Sequence, residues 1–85
     1  MSAAGSPSGV RAVVEILARV LTDRPDDVRV VETERKGTTL VELYVAPDDL
    51  GKVIGKQGRT ARSIRSLLAA AGTKQNKRYT LEIAE

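Results

Sequence analysis

The chain has 85 residues with 14 basic and 11 acidic side chains, a net charge of +3, no cysteine, no histidine and two aromatic residues, Tyr44 and Tyr79. That length makes one small domain with a modest core. The missing residue types exclude disulfides, thiolate metal sites, thiol nucleophiles and the commonest general base, and two rings are too few for a multi-ring base-stacking platform.

Residues 1–8 are small, polar and turn-rich, and read as a disordered tail ahead of a folded domain over 9–85. The tail has neither the basic start nor the apolar stretch of a secretory signal. No apolar run approaches the length of a membrane span. The expected location is therefore the cytoplasm, with no membrane partner.

A first helix is predicted over 9–22, with Val10, Val13, Val14, Leu17, Ala18 and Leu21 at three- and four-residue spacing. Ser8 is its expected N-cap, and Glu15 and Arg19 make a favourable i,i+4 pair. Arg24-Pro25-Asp26-Asp27 ends it, because Pro25 restrains the residue before it. This helix reads as packing material rather than as a site.

Two strands follow, 28–35 and 38–46, joined at Lys36-Gly37. In the second, Thr39, Val41, Leu43 and Val45 alternate with Leu40, Glu42 and Tyr44, so one face is apolar and one mixed. Tyr44 reads either as a cover for the sheet or as a ring on which a base stacks.

Residues 47–54 read as a short helix with Pro47 at its first position. Asp48 and Asp49 suit the positive end of its dipole. With no third ligand beside them, they make neither a metal site nor a catalytic pair. Leu50, Val53 and Ile54 are expected to face inward and Lys52 outward, beside the loop that follows. A longer helix is predicted over 59–71 with Ala61, Ile64, Leu67, Leu68 and Ala71 as its buried stripe, stopped by Gly72. A polar, basic loop over 73–77 leads to a last strand, 78–83, with Tyr79, Leu81 and Ile83 on the core side. The order is α-β-β-α-α-β. The two-helix crossover is long enough to make the second and third strands parallel. The expected fold is α+β, a three-stranded mixed sheet in order 1-2-3 with three helices on one face.

Gly55-Lys56-Gln57-Gly58 joins the last two helices. Its spacing does not fit G-x-x-x-x-G-K-[ST], since Gly51 to Gly55 is one residue short and Gln57 replaces the magnesium-binding hydroxyl. It does not fit G-x-G-x-x-G either. A bare G-x-x-G equally describes a tight turn with no ligand. The charge distribution favours a ligand. Eight basic residues and no acidic one lie between Lys52 and Arg78, whereas the rest of the chain holds six basic and eleven acidic residues. Such a segment centred on a glycine loop suits phosphate. Arg65 within it reads as part of a solvated helix face.

Val53-Ile54-Gly55-Lys56-Gln57-Gly58-Arg59-Thr60, followed by Ile64, resembles the core signature of KH domains, in which a G-x-x-G loop clamps nucleic-acid backbone. The element order resembles the bacterial, type II form of that fold, and at this length the chain is similar to the small stand-alone KH proteins of the KhpA type. One position departs: many KH domains carry Ile three residues after the second loop glycine, where this chain has Ala61. The resemblance implies a cleft for about four unpaired nucleotides. Its RNA-binding residues would be Lys52, Val53, Ile54, Gly55, Lys56, Gln57, Gly58, Arg59 and Arg62, with Ile64 and Val45 in the floor and Lys74 and Lys77 on the border.

Two function classes follow. One is a binder of single-stranded RNA, acting as an RNA chaperone or post-transcriptional regulator and requiring no cofactor. The other is a protein-interaction module. The resemblance implies a heterodimer with a larger multidomain KH protein of the Jag or KhpB type implicated in cell elongation and division, and the long helix itself suggests a homodimer, with Leu67 at the edge of its buried stripe. The small residues Ser63, Ser66, Ala69 and Ala70 on the long helix would permit such pairing. Nothing in the sequence distinguishes RNA from single-stranded DNA, and the absence of His, Cys and a credible carboxylate pair argues against an enzyme.

Overall fold

A computed structural model describes residues 9–85; the expected tail over 1–8 and the N-cap role of Ser8 lie outside the described residues. The elements are α1 (Gly9–Leu21), β1 (Arg29–Arg35), β2 (Thr38–Tyr44), α2 (Leu50–Ile54), α3 (Arg59–Gln75) and β3 (Arg78–Ala84). Single 3-10 turns at Pro25–Asp27, Pro47–Asp49 and Lys56–Gly58 join them.

The sheet order is β1-β2-β3, with β1 antiparallel and β3 parallel to the central β2. Lys36 and Gly37 both have positive φ, 47° and 82°, which lets a two-residue turn follow the twist of the strands. Burial alternates strictly along β2. Its inward set, Val41 and Leu43, meets Val30 of β1 and Leu81 of β3 beneath the helices, which contribute Val14, Val53, Ile64 and Leu68. The other face of the sheet is open and carries Val31, Leu40 and Thr80 beside Glu42 and Glu82.

Two helices differ from the sequence reading. In α1 only the i,i+4 line Val10, Val14, Ala18 is buried. Val13 is 48 % exposed and Leu21 37 %, against expectation, and Ile16 and Val20 are more exposed still. The helix is apolar on more than one face, but the sheet covers only a narrow line of it. Glu15 holds Arg19 at 3.1 Å, and Arg11 Nε donates to the Val30 carbonyl at 3.1 Å, fastening α1 to β1.

The second difference is Gly72, which does not stop α3. The helix runs one more turn to Gln75, and Asn76 (φ 57°) caps it in the left-handed conformation that Asn tolerates. Gly72 is buried inside the helix. A Cβ there would lie 2.5 Å from the Lys77 carbonyl oxygen and 3.2 Å from the Tyr79 ring. Glycine is present because the chain entering β3 crosses the helix closely. Leu67, which spacing places at the edge of the buried stripe where core and partner could share it, is 54 % exposed; Ala61, Ile64, Leu68 and Gly72 make the buried line.

Candidate nucleic-acid interface

The loop between α2 and α3 is set by three residues with positive φ. Gly55 (φ 79°, ψ 169°) ends α2 in a region open almost only to glycine. Its N–H donates to the Gly51 carbonyl at 2.8 Å. Gln57 (φ 57°) and Gly58 (φ 73°) then turn the chain into α3. The side chains of Lys56 and Gln57 are exposed at the tip. The positive end of the dipole of α3, a 17-residue helix, lies next to them. Arg62 reaches back to donate to the Gln57 carbonyl at 3.3 Å, and Arg59 to Gln57 Oε1 at 3.4 Å. Two guanidinium groups therefore stand over the loop.

A groove of about 370 Å³ opens beside it, lined by Ile54, Gly58, Ala61, Arg62, Arg65 and Ile83. Its floor is apolar, from Ile54, Ala61 and Ile83, and its α3 wall carries Arg62 and Arg65. The other wall is β3, an edge strand. The arrangement presents cations and a close backbone turn on one side and an apolar surface with strand backbone on the other.

Several expected site residues are not part of this groove. Val53 is fully buried, and Ile64 and Val45 are nearly so; they belong to the core and do not line this groove. Lys52 faces away from the loop. Its ammonium donates to Asp23 at 2.6 Å and to Asp49 at 3.2 Å. Lys74 and Lys77 lie at the far end of α3, which at ~1.5 Å per residue puts Lys74 roughly 22 Å from Arg59. Ile54, Gly55, Lys56, Gln57, Gly58, Arg59 and Arg62 do come together at the loop and groove.

Two groove residues were missed. Arg65 reads in sequence as solvated, yet it shares a helix face with Arg62, and the three-residue repeat Arg59, Arg62, Arg65 was the available signal. Ile83 was assigned only to the core. As the inward residue near the end of an edge strand it also borders the groove, a fact that requires the strand order.

Asp49 holds the segment that leads to the loop. Only 1 % exposed, it accepts the backbone N–H groups of Asp23 (3.1 Å) and Arg24 (2.9 Å) and the Lys52 ammonium. Burial alone would raise its carboxyl pKa; the two N–H donors and Lys52 outweigh that and hold it below the ordinary carboxylate value. The hydrogen bond to Asp23, followed by that to Asp49, raises Lys52. Asp49 is thus a brace between the α1–β1 connection and α2, where sequence had suggested only a helix-start charge. Tyr44 lies on the open face, away from the groove. Its hydroxyl donates to Glu42 at 3.1 Å, and that bond, with the Glu42 charge, raises its pKa. Among the described residues there is no cluster of three His, Cys, Asp or Glu side chains able to hold a metal, and no helix long and apolar enough to cross a membrane.

Comparison with known proteins agrees with this geometry. The family model for the KH domain of KhpA/KhpB matches residues 11–83. The RNA-binding protein KhpA of Halalkalibacterium halodurans is 51% identical over 76 residues, 89% of this chain and 100% of that protein. The RNA-binding protein KhpA of Aquifex aeolicus is 51% identical over 78 residues, 92% of this chain and 99% of that one. Among solved structures, Era in complex with MgGDPNP and nucleotides 1506-1542 of 16S ribosomal RNA superposes with a TM-score of 0.58. That match has 18% identity and covers 88% of this chain and 29% of the Era chain, so it supports the fold alone.

Proposed function

The chain belongs to the KhpA/KhpB KH-domain family, and from that premise we propose that it binds single-stranded RNA in the groove between its G-x-x-G loop, α3 and β3. The observation that carries this reading is the groove itself: an apolar floor of Ile54, Ala61 and Ile83 beside Arg62 and Arg65, with the loop at its edge. Phosphates meet Lys56, Arg59, Arg62 and Arg65, while bases lie on the floor with their edges toward β3. No aromatic ring lines the groove, so stacking contributes little. Phosphate contacts position a strand without specifying it. Binding is therefore weak per domain and loosely selective. That suits an RNA chaperone or post-transcriptional regulator in the cytoplasm, a binding role rather than a catalytic one.

The test is the double substitution Lys56→Asp, Gln57→Asp. It reverses the charge at the tip and leaves both glycines in place; Asp also tolerates the left-handed conformation at position 57. RNA affinity falls sharply while the thermal midpoint stays put. Unchanged affinity removes the loop from the site.

A separate observation favours a second, compatible reading. Val13 and Leu67, about half exposed, flank an apolar concavity of about 290 Å³ between α1 and α3. Ser63 and Ala70, exposed and respectively four residues before and three after Leu67 on α3, are small enough for another helix to approach. The occupant is a second copy of the chain, each Leu67 entering the other's concavity. Sedimentation of Leu67→Glu as a folded monomer, against a dimeric parent, supports it. A monomeric parent removes it and leaves pairing with a larger KH protein, which pull-down with such a protein decides.

A further inference from the structure

The far end of α3 carries a second cluster of cations, separate from the groove. Arg35 and Arg78 flank Thr38 in one cross-strand row of the sheet. Lys36 occupies the hairpin turn, and Lys74 and Lys77 lie at the end of α3 and in its connection to β3. Two of these cations, Lys77 and Arg78, line an open concavity of about 560 Å³ together with Gly37, Thr73, Asn76 and Tyr79, larger than the groove beside the loop. None of these five cations makes a side-chain hydrogen bond or ion pair among the described residues. By contrast, Arg11, Arg19 and Lys52 are all paired with carboxylates. The negative end of the α3 dipole accounts for a cation in its last turn, namely Lys74. It does not account for Arg35 and Lys36, which belong to a different element. Glu32 and Glu34 lie beside Lys77, and Glu42 beside Arg35, but none forms an ion pair with these cations, and the five positive charges that three segments bring to this end of the molecule suit an anionic ligand.

We propose that this end of the molecule is a second RNA-backbone site, which takes up the strand after it leaves the groove. The proposal rests on the groove reading. A KH cleft grips about four nucleotides, and the second cluster lies roughly 22 Å along α3 from the loop. A longer strand running over the outer surface of the α3–β3 seam reaches it without dissociating from the first site. The gain comes through effective concentration. The ligand chemistry is phosphodiester backbone, read without base specificity.

The experiment compares single-stranded RNAs of about four and about ten nucleotides, measuring affinity for the whole chain across a range of salt concentrations. The variant is Arg35→Gln, Lys36→Asn; both residues are exposed, and Asn tolerates the positive φ at position 36. With the parent protein, the longer RNA shows the steeper log–log salt slope. In the variant, the slope for the longer RNA becomes shallower by about 0.7 for each phosphate no longer neutralised, thus by ~1.4 for two. The tetranucleotide keeps its affinity and slope. Lys74→Gln, Lys77→Gln gives the same pattern if the hairpin variant folds poorly. Binding of the longer RNA unaltered in both variants overturns the second site and leaves the groove standing. A loss equal for both lengths overturns it as well. Failure of the parent to bind either RNA removes the groove reading and this inference together.

Discussion

A Cβ on Gly55 would lie 2.7 Å from Thr60 Cβ and 2.8 Å from the Thr60 backbone nitrogen, with the Thr60 hydroxyl closer still. The first residue of the loop is thus pressed against the second residue of α3. Gly58, at the loop's other end, has open space where a Cβ would go. The two glycines of one motif are required for different reasons, one by a clash with backbone and one by its φ alone.

Gly55→Ala and Gly58→Ala should therefore differ. Alanine at 58 meets only the cost of the left-handed conformation, about 1–2 kcal/mol. Alanine at 55 meets a conformational cost of ~1–3 kcal/mol and in addition must move α3. Truncating Thr60 cannot restore it, because the nitrogen and Cβ at position 60 remain. Chemical denaturation checks the order: Gly55→Ala is the less stable of the two and loses RNA binding, while Gly58→Ala keeps a native-like fold. Equal stability of the two would mean that the loop relaxes freely around position 55.

Much of this architecture could be read from the sequence, and the failures have physical causes. The alternation in β2 is legible because one face is buried and the other is not, so each side chain reports its own side. The loop is legible because two glycines stand out against helical flanks. The apolar face of α1 is broader than the line that the sheet covers, so spacing overestimated the burial of Val13 and Leu21. Gly72 looks like a stop because a chain crossing behind a helix leaves no local signature. Lys52 and Lys56 are four residues apart and chemically alike. Only the position of Asp49 and Asp23 separates the structural lysine from the loop one.

That separation can be measured through salt. Four phosphates neutralised by Lys56, Arg59, Arg62 and Arg65 give a log–log slope of about −2.8 for a short single strand. Arg65→Gln makes it shallower by about 0.7. Lys52→Gln leaves the slope unchanged and lowers the unfolding midpoint instead. A shallower slope in Lys52→Gln would return that lysine to the binding surface.

The Asp49 brace predicts a pH dependence. Its carboxyl pKa is depressed in the folded chain, so its contribution is present above the ordinary carboxylate range and is lost as pH falls through the lowered value. Asp49→Ala removes the acceptor for two backbone N–H groups and unpairs Lys52. Asp49→Asn keeps one acceptor and loses the charge. At neutral pH the unfolding midpoints should rank parent, then Asn, then Ala. The gap between parent and Asn should narrow in acid, as thermal melts across that range will show. A gap that stays constant with pH would mean that Asp49 carries no charge at neutrality.

The most direct test of the central reading is a map of backbone amide shifts as short single-stranded RNA is added to the isotope-labelled chain. The account predicts the largest shifts from Ile54 through Arg65 and at Ile83, with α1 nearly silent. Shifts concentrated instead on Val13, Leu17 and Leu67, or no shifts at low salt, would contradict it.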